Sequence, residues 1–538
     1  MKTLWTHGKF YLEKGKFAQA ILTEDGRIRK LGKLEDFDPK EADQVVDLGG
    51  KTVLPGLNDS HCHMSAVGKA MMEVDLNTCQ SVEECIEKTK AFIEDHPQWT
   101  QDFVHTMSWN EDHFTEGEKR PLNRWDLDRM ATDRPIILER ICGHIGAANS
   151  YVIEKMGITK DTPDPKGGKI DRDQEGNPTG IFRERALEWV KSLLGRPSKD
   201  YVKTCMKLSL DYALSVGITS VQSNDMSPSN IKGHYESLRD LYEKGEVQTR
   251  YRHQFCVESK EELEDLLAGE FQNPIYQGKT LTIGPVKMFK DGSLGARTAL
   301  MKEAYADDPG NHGVRVLSLE DQKKMVAMAD QRGFQVVTHV IGDLAAQETI
   351  DVYKEFIKEG KNPLGHGLIH LQITDQEVLD DVVKFDLPVY FQPIFLDYDV
   401  HIAEDRVGKD LMKTSYAFKT LAERGVKIGY GTDAPVEDLN PFPCIYAAVT
   451  RQDKNGYPEG GFFPEERVDL ETAIDAYSLG SAQMEFMEEE KGRIKEGYLA
   501  DFIVLDRDIF QVEDSKEIRD IQVLRTIVDG KTVYERKD

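Results

Sequence analysis

His61 and His63 stand two residues apart in Leu54-Pro55-Gly56-Leu57-Asn58-Asp59-Ser60-His61-Cys62-His63-Met64, just past an apolar stretch closed by Pro-Gly. Residues i and i+2 of a β-strand face the same way. The two imidazoles can therefore aim at one point while Cys62 points away. A neutral imidazole is the commonest metal-binding side chain, so the pair could be half of a metal site. Two ordinary strand-end histidines are the plainer alternative, and further ligands must decide between them.

More candidates follow in chain order. His339 closes Gln335-Val336-Val337-Thr338-His339, His370 closes Gly367-Leu368-Ile369-His370, and Asp433 closes Ile428-Gly429-Tyr430-Gly431-Thr432-Asp433. Lys287 lies inside the apolar run Gly284-Pro285-Val286-Lys287-Met288-Phe289. A buried lysine is costly unless it is paired or chemically modified. Reaction with CO2 would make it a carbamate, an anionic oxygen ligand able to bridge two metals; an ion pair with a carboxylate is the alternative. Lys290 has the opposite strand parity and adjoins Asp291, which favours Lys287. Imidazoles and carboxylates suit Zn2+, with iron or manganese as alternatives.

These residues need a scaffold that brings them to one face. Helical patterns over 201–215, 260–268, 319–332, 344–358, 375–385 and 416–424 alternate with apolar strand segments at 217–222, 250–257, 281–289, 335–339, 367–370, 388–392 and 426–433. With the strand before His63 this makes eight. Alternation of this kind predicts an α/β fold with a parallel sheet, and eight repeats predict a TIM-like (β/α)8 barrel over 55–489. Such barrels carry their active sites at the C-terminal strand ends. His61 and His63 then end strand one, His339 strand five, His370 strand six and Asp433 strand eight, with Lys287 on strand four. About 150 residues separate strands one and two. That gap predicts an inserted subdomain and lid region at 75–198. Short strands around Asp-Gly turns at both chain ends, 1–54 and 490–538, predict one composite β-sandwich, because two isolated hairpins would be marginal in water.

The formal charge of −26 over 538 residues argues against binding a phosphate backbone. No apolar run of about eighteen residues predicts a membrane span, and the N-terminus lacks the apolar core of a secretory signal. Seven scattered cysteines without a CxxC pair fit reduced thiols. The expectation is a cytoplasmic protein acting on a small molecule, without nucleic-acid or membrane partners; a homodimer is compatible with it.

Together, His-x-His on strand one, Lys on strand four, His on strands five and six and Asp on strand eight resemble the amidohydrolase superfamily. The words Val286-Lys287-Met288-Phe289-Lys290-Asp291-Gly292-Ser293, His339-Val340-Ile341-Gly342-Asp343, His366-Gly367-Leu368-Ile369-His370-Leu371-Gln372 and Gly431-Thr432-Asp433-Ala434-Pro435 are similar to its amidohydrolase-3 branch, which includes YtcJ-like proteins and N-substituted formamide deformylases. Gly143-His144 through Asn149-Ser150 and Gly176-Asn177-Pro178-Thr179-Gly180 resemble that branch's inserted region. Two words depart from it: Ile369-His370-Leu371-Gln372 stands where the branch often has Glu-His-Ala-Gln, and Gly342-Asp343-Leu344-Ala345 where it often has Gly-Asp-Arg-Ala. The ligand positions are intact, so the departures bear on substrate preference.

The resemblance implies a metal-dependent hydrolase cleaving a non-peptide C–N bond (amide, N-acyl or N-formyl) with a metal-activated hydroxide. His61, His63 and Asp433 would hold one ion, His339 and His370 another, and carboxylated Lys287 would bridge them; a mononuclear site is the fallback. Asp433 would act as general base and acid. Trp109, Asp112, His144, Glu184 and Arg297 lie in or near segments resembling the family's pocket wall, and His366 reads as structural. Lactonase, phosphotriesterase or deaminase chemistry on the same barrel is the alternative, as is a non-catalytic binding protein with a relict pocket.

Overall fold

The computed structural model describes residues 1–195, 198–226, 231–269, 280–357 and 361–537. They form two compact units, Met1–Ala66 with Met206–Asp538, and Val67–Cys205.

The centre of the first unit is a parallel sheet of β1 (Leu57–Cys62), β2 (Ile218–Met226), β3 (Arg250–Cys256), β4 (Leu281–Phe289), β5 (Val336–Val340), β6 (Gly367–His370), β7 (Val389–Phe391) and β8 (Ile428–Tyr430). The strands neighbour one another in sequence order. Past the strand ends, Asp433 N donates to His61 O at 2.8 Å and His63 N to Ala434 O at 2.7 Å, bringing the last strand back to the first. The result is a TIM-like (β/α)8 barrel. Its strands are buried on both faces, as parallel strands covered by helices must be. In β4, Val286 and Met288 are buried on one side and Lys287 on the other. Pro285 cannot donate to a ladder, and proline inside a sheet is confined to edges and bulges. The β3–β4 register slips between His253 and Phe255, opposite it. Gly284 is needed there, since a Cβ would lie 1.9 Å from His253 O.

The covering helices start where their caps predict. Ser259, Ser318 and Asp375 accept from the backbone N–H of Glu262, Asp321 and Val378, opening Lys260–Ala268, Leu319–Gln331 and Gln376–Lys384. Each buries one stripe, for example Val378, Leu379 and Val382. The helix expected over 344–358 is shorter, Asp343–Tyr353. Glu355 N and Phe356 N bond three residues back, to Val352 O and Tyr353 O, so the last turn tightens; Lys358 lies outside the described residues.

Both chain ends build two further sheets. One runs Arg27–Gly32, Ala20–Glu24, Lys2–Thr6, Gln44–Asp47; the other runs Lys531–Glu535, Val523–Val528, Phe502–Leu505, Thr52–Pro55, Lys9–Glu13, Lys16–Ala18. Trp5, Phe10, Ile21, Ile28, Val53, Phe502, Val504 and Ile527 share one apolar core. Trp5 meets Phe502 edge-on at 5.1 Å. The Asp25-Gly26 and Asp529-Gly530 turns have positive φ at both residues, the conformation that suits a two-residue hairpin. Arg250, at the start of β3, ties this layer to the barrel. Its Nε donates to Asp501 Oδ2 at 2.6 Å and its Nη2 to Asp529 Oδ1 at 2.7 Å.

The second unit carries a five-stranded sheet, ordered Gly168–Arg172, Pro178–Glu184, Ile145–Ala148, Ile136–Arg140, Val104–Trp109. Alternate residues feed separate cores: Ile136 and Leu138 pack with Trp109 and Ile86, whereas Ile137 packs with Phe182 and Val190. Within this unit His105 lies between two carboxylates, Nδ1 to Glu73 Oε1 at 2.9 Å and Nε2 to Glu139 Oε1 at 2.6 Å, with Lys191 Nζ 3.0 Å from Glu139 and Lys69 Nζ 3.5 Å from Glu73. Burial disfavours the imidazolium, but the hydrogen bonds to Glu139 and Glu73 outweigh it and raise the pKa above 6.5. A raised histidine stabilises the fold fully below its unfolded pKa of about 6.5 and loses that contribution as pH rises through the folded value. The stability difference between the wild type and His105→Asn should therefore shrink from pH 6 to 9, read as the gap between their unfolding midpoints; a gap that widens contradicts the sign.

Candidate metal centre

The sequence candidates from five strands meet at the C-terminal end of the barrel. His61 lies near the end of β1, buried, with its N–H on Asp59 Oδ1 at 3.0 Å. His63 follows the strand. Their Nε2 atoms lie 3.4 and 3.0 Å from Asp433 Oδ1, and ligand atoms of all three fall within 4.8 Å of one another. Asp433 sits just past β8 at φ +58, a left-handed conformation that costs about 1–2 kcal/mol. Asp59 holds it there indirectly, accepting from Thr432 N at 3.0 Å and Thr432 Oγ1 at 2.7 Å.

His339 and His370 stand edge-to-face with ring centroids 4.5 Å apart, and His370 lies 5.6 Å from His61. His370 and Leu371 both take positive φ, 75 and 46; non-glycine residues hold such angles where the surrounding structure over-determines them. Lys287 is 0% exposed, with Nζ 3.4 Å from His61 Nε2 and 4.6 Å from the Phe289 ring centroid. Among the described residues no carboxylate lies within salt-bridge range of it, so the ion-pair alternative finds no partner. Lys290 does pair, with Glu348 Oε2 at 2.9 Å.

Each histidine has one ring nitrogen engaged away from the centre. His61 Nδ1 meets Gln254 Oε1 at 2.6 Å, His63 Nδ1 meets Asn224 O at 2.6 Å, and His370 Nδ1 meets Gln392 Oε1 at 2.7 Å. His339 reverses the pattern, with Nε2 on Gly292 O at 3.0 Å. The nitrogens left for the centre are therefore Nε2 of His61, His63 and His370 and Nδ1 of His339. Burial, then the nearby Lys287, lowers the pKa of His61 well below its ordinary value and that of His339 to about 3; burial and His339 lower that of His370. Burial opposes the charged form of His63, but Asp433 outweighs it and raises that pKa. Burial alone takes Lys287 down to about 8 against the attraction of Asp433. Imidazoles each held through one ring nitrogen with the other left for the centre, beside a carboxylate, fit a divalent ion of the zinc type.

The softer candidates have ordinary surroundings. Trp109 is buried in the second unit's core, with Nε1 donating to Leu138 O at 3.1 Å. Asp112 pairs with Arg140 at 2.7 Å, and His144 with Glu184 at 3.0 Å, both pairs in that unit. Arg297 is held by Asp307 at 2.7 Å. His366 accepts from Val336 N at 3.0 Å at the far end of the barrel, a structural role. Sequence reasoning missed Asp59, Thr432, Gln254 and Gln392. Asp59 shares the parity of His61, which was a signal; Gln254 lies in a strand that also holds Arg250, Arg252 and His253, so its polarity does not single it out.

A parallel barrel with this constellation at its C-terminal end defines a metal-dependent hydrolase of the amidohydrolase type. The chain belongs to the amidohydrolase family, whose model matches residues 44–534. It is 32% identical to YtcJ of Bacillus subtilis (strain 168) over the full length of both chains, and 25% identical to the N-substituted formamide deformylase of Arthrobacter pascens over 96% of this chain and 95% of that one. An uncharacterized metal-dependent hydrolase from Pyrococcus furiosus has a similar structure, with TM-score 0.77 and 28% identity over 94% of this chain and 99% of that one.

Proposed function

We propose that this protein hydrolyses a non-peptide C–N bond, an amide, N-acyl or N-formyl group, in a small molecule. The observation that carries the reading is the place of Asp433 Oδ1, 3.0 and 3.4 Å from the Nε2 atoms of His63 and His61. A carboxylate at that place can take a proton from a water held beside the imidazoles and return it to a leaving nitrogen. The similarity to an N-substituted formamide deformylase supports the bond type. When bound, a divalent ion supplies Lewis-acid polarisation of a carbonyl and a more acidic water.

His61, His63 and Asp433 would hold one ion and His339 and His370 a second, Zn2+ by the chemistry of the donors. Lys287 would join them as a carbamate: its unprotonated amine attacks the carbon of CO2, the N–C bond forms as one C=O π pair moves onto oxygen, and the N–H proton leaves to water. A pKa near 8 keeps part of the lysine in that reactive form at neutral pH. Asp433 takes the proton of the attacking water and delivers it to the leaving nitrogen, so one group serves as base and then acid. The seven cysteines are free thiols, five of them buried, which supports a cytoplasmic setting.

The test is a hydrolysis screen of metal-supplemented protein over N-formyl, N-acyl, lactone and phosphotriester compounds, paired with metal analysis. Turnover confined to the first two groups, lost on chelation and restored by Zn2+, is the expected result. A preference for lactones or phosphotriesters overturns the bond assignment. Fewer than about one ion per chain counts against the enzyme itself.

A further inference from the structure

Two buried amides, on β3 and just past β7, mirror each other across the centre. Gln254 is 0% and Gln392 3% exposed. Gln254 Nε2 donates to Ser60 O at 3.0 Å, which turns its Oε1 to His61 Nδ1 at 2.6 Å. Gln392 Nε2 donates to Tyr390 O at 3.0 Å, which turns its Oε1 to His370 Nδ1 at 2.7 Å. A carbonyl such as Ser60 O or Tyr390 O only accepts, so each amide must present nitrogen to it and oxygen to the imidazole. An oxygen that only accepts requires Nδ1 to carry the proton. The lone pair of the neutral ring then lies on Nε2.

We propose that Gln254 and Gln392 are positioning residues that fix the tautomer and ring orientation of His61 and His370, one for each half of the metal centre. The proposal rests on both histidines being ligands. Other acceptors at this site are main-chain carbonyls, Asn224 O on His63 and Gly292 O on His339; no side-chain substitution removes them. The two glutamines are thus the points where metal affinity can be tuned by mutation without replacing a ligand. Each is braced by the strand it serves or its own: Ser60 precedes His61, and Tyr390 precedes Gln392 by two residues. Groups that orient a ligating histidine typically change metal affinity about 10–100-fold when lost.

The experiment measures Zn2+ affinity by chelator competition, and the visible spectrum of the Co2+-loaded protein, for wild type, Gln254→Met, Gln392→Met, Gln254→Glu and His61→Asn. Methionine keeps the length and apolar volume but accepts almost nothing; glutamate restores an acceptor. We expect each methionine variant to bind about 10–100-fold more weakly with a changed cobalt spectrum, and Gln254→Glu to bind at least as tightly as wild type. Methionine variants with wild-type affinity and spectrum overturn the proposal if His61→Asn has lost the metal. If His61→Asn binds as wild type does, the ligand assignment has failed instead. Should the methionine variants not fold, Gln254→Glu decides: retained affinity supports the clamp, and a tenfold or greater loss overturns it.

Discussion

Asp433→Asn is expected to lower kcat, on whichever compound the hydrolysis screen identifies, by about 10²–10⁴-fold, the range a positioned general base contributes. Asparagine preserves the rest of the corner. It tolerates left-handed φ, and the main-chain bond from residue 433 to His61 O at 2.8 Å does not involve the side chain. The variant should therefore unfold at the wild-type midpoint. Full turnover by Asp433→Asn would place the base elsewhere. A fall in rate matched only by a fall in bound metal would leave Asp433 a ligand without a proton role.

Arg250→Met destabilises the protein by about 3–5 kcal/mol, read as a shift of the denaturant midpoint, because it strands buried charges on Asp501. The pair is bidentate, 2.6 and 2.9 Å, with both side chains buried. Burial pushes Asp501 toward its neutral form, but the Arg250 guanidinium outweighs it and holds the pKa below the ordinary carboxylate value. A depressed acid contributes stability above its unfolded pKa of about 3.9 and loses it as pH falls through the folded value. Wild type should thus lose stability below about pH 4 more steeply than Arg250→Met. The double variant Arg250→Met/Asp501→Leu should recover part of the loss, since an apolar pair of similar volume can replace a buried ion pair. If it is no better than the single variant, the stranded charge was not the cause.

The meeting of the candidate residues at one end of the barrel was legible because barrel topology does the selecting. Any residue at the end of a strand is carried to one rim, so His61, His339, His370 and Asp433 needed only correct strand assignment. Lys287 was separable from Lys290 by parity alone, and the two differ as that parity requires: one lies beside His61, the other on Glu348. Gln254 was not legible in this way. The β3–β4 register slips between His253 and Phe255, around it, so simple alternation does not say which face it takes. Trp109 shows the limit of residue type. A binding-site tryptophan and a core tryptophan have the same sequence signature, and only its bond to Leu138 O and its packing identify the second. The five-stranded order of the 67–205 unit was equally hidden, because turns reveal where strands end but not which strands become neighbours.

The pairing of Thr52–Pro55 with Phe502–Leu505 has a consequence on the ribosome. The first of these strands emerges roughly 450 residues before its partner, and at about 5–20 residues per second that wait lasts on the order of 20–90 s. Throughout synthesis of the barrel, Phe10, Val53 and Leu54 lack the strand that will cover them. A nascent chain arrested before residue 502 should bind holdase chaperones through this N-terminal edge, and release past residue 528 should end that binding.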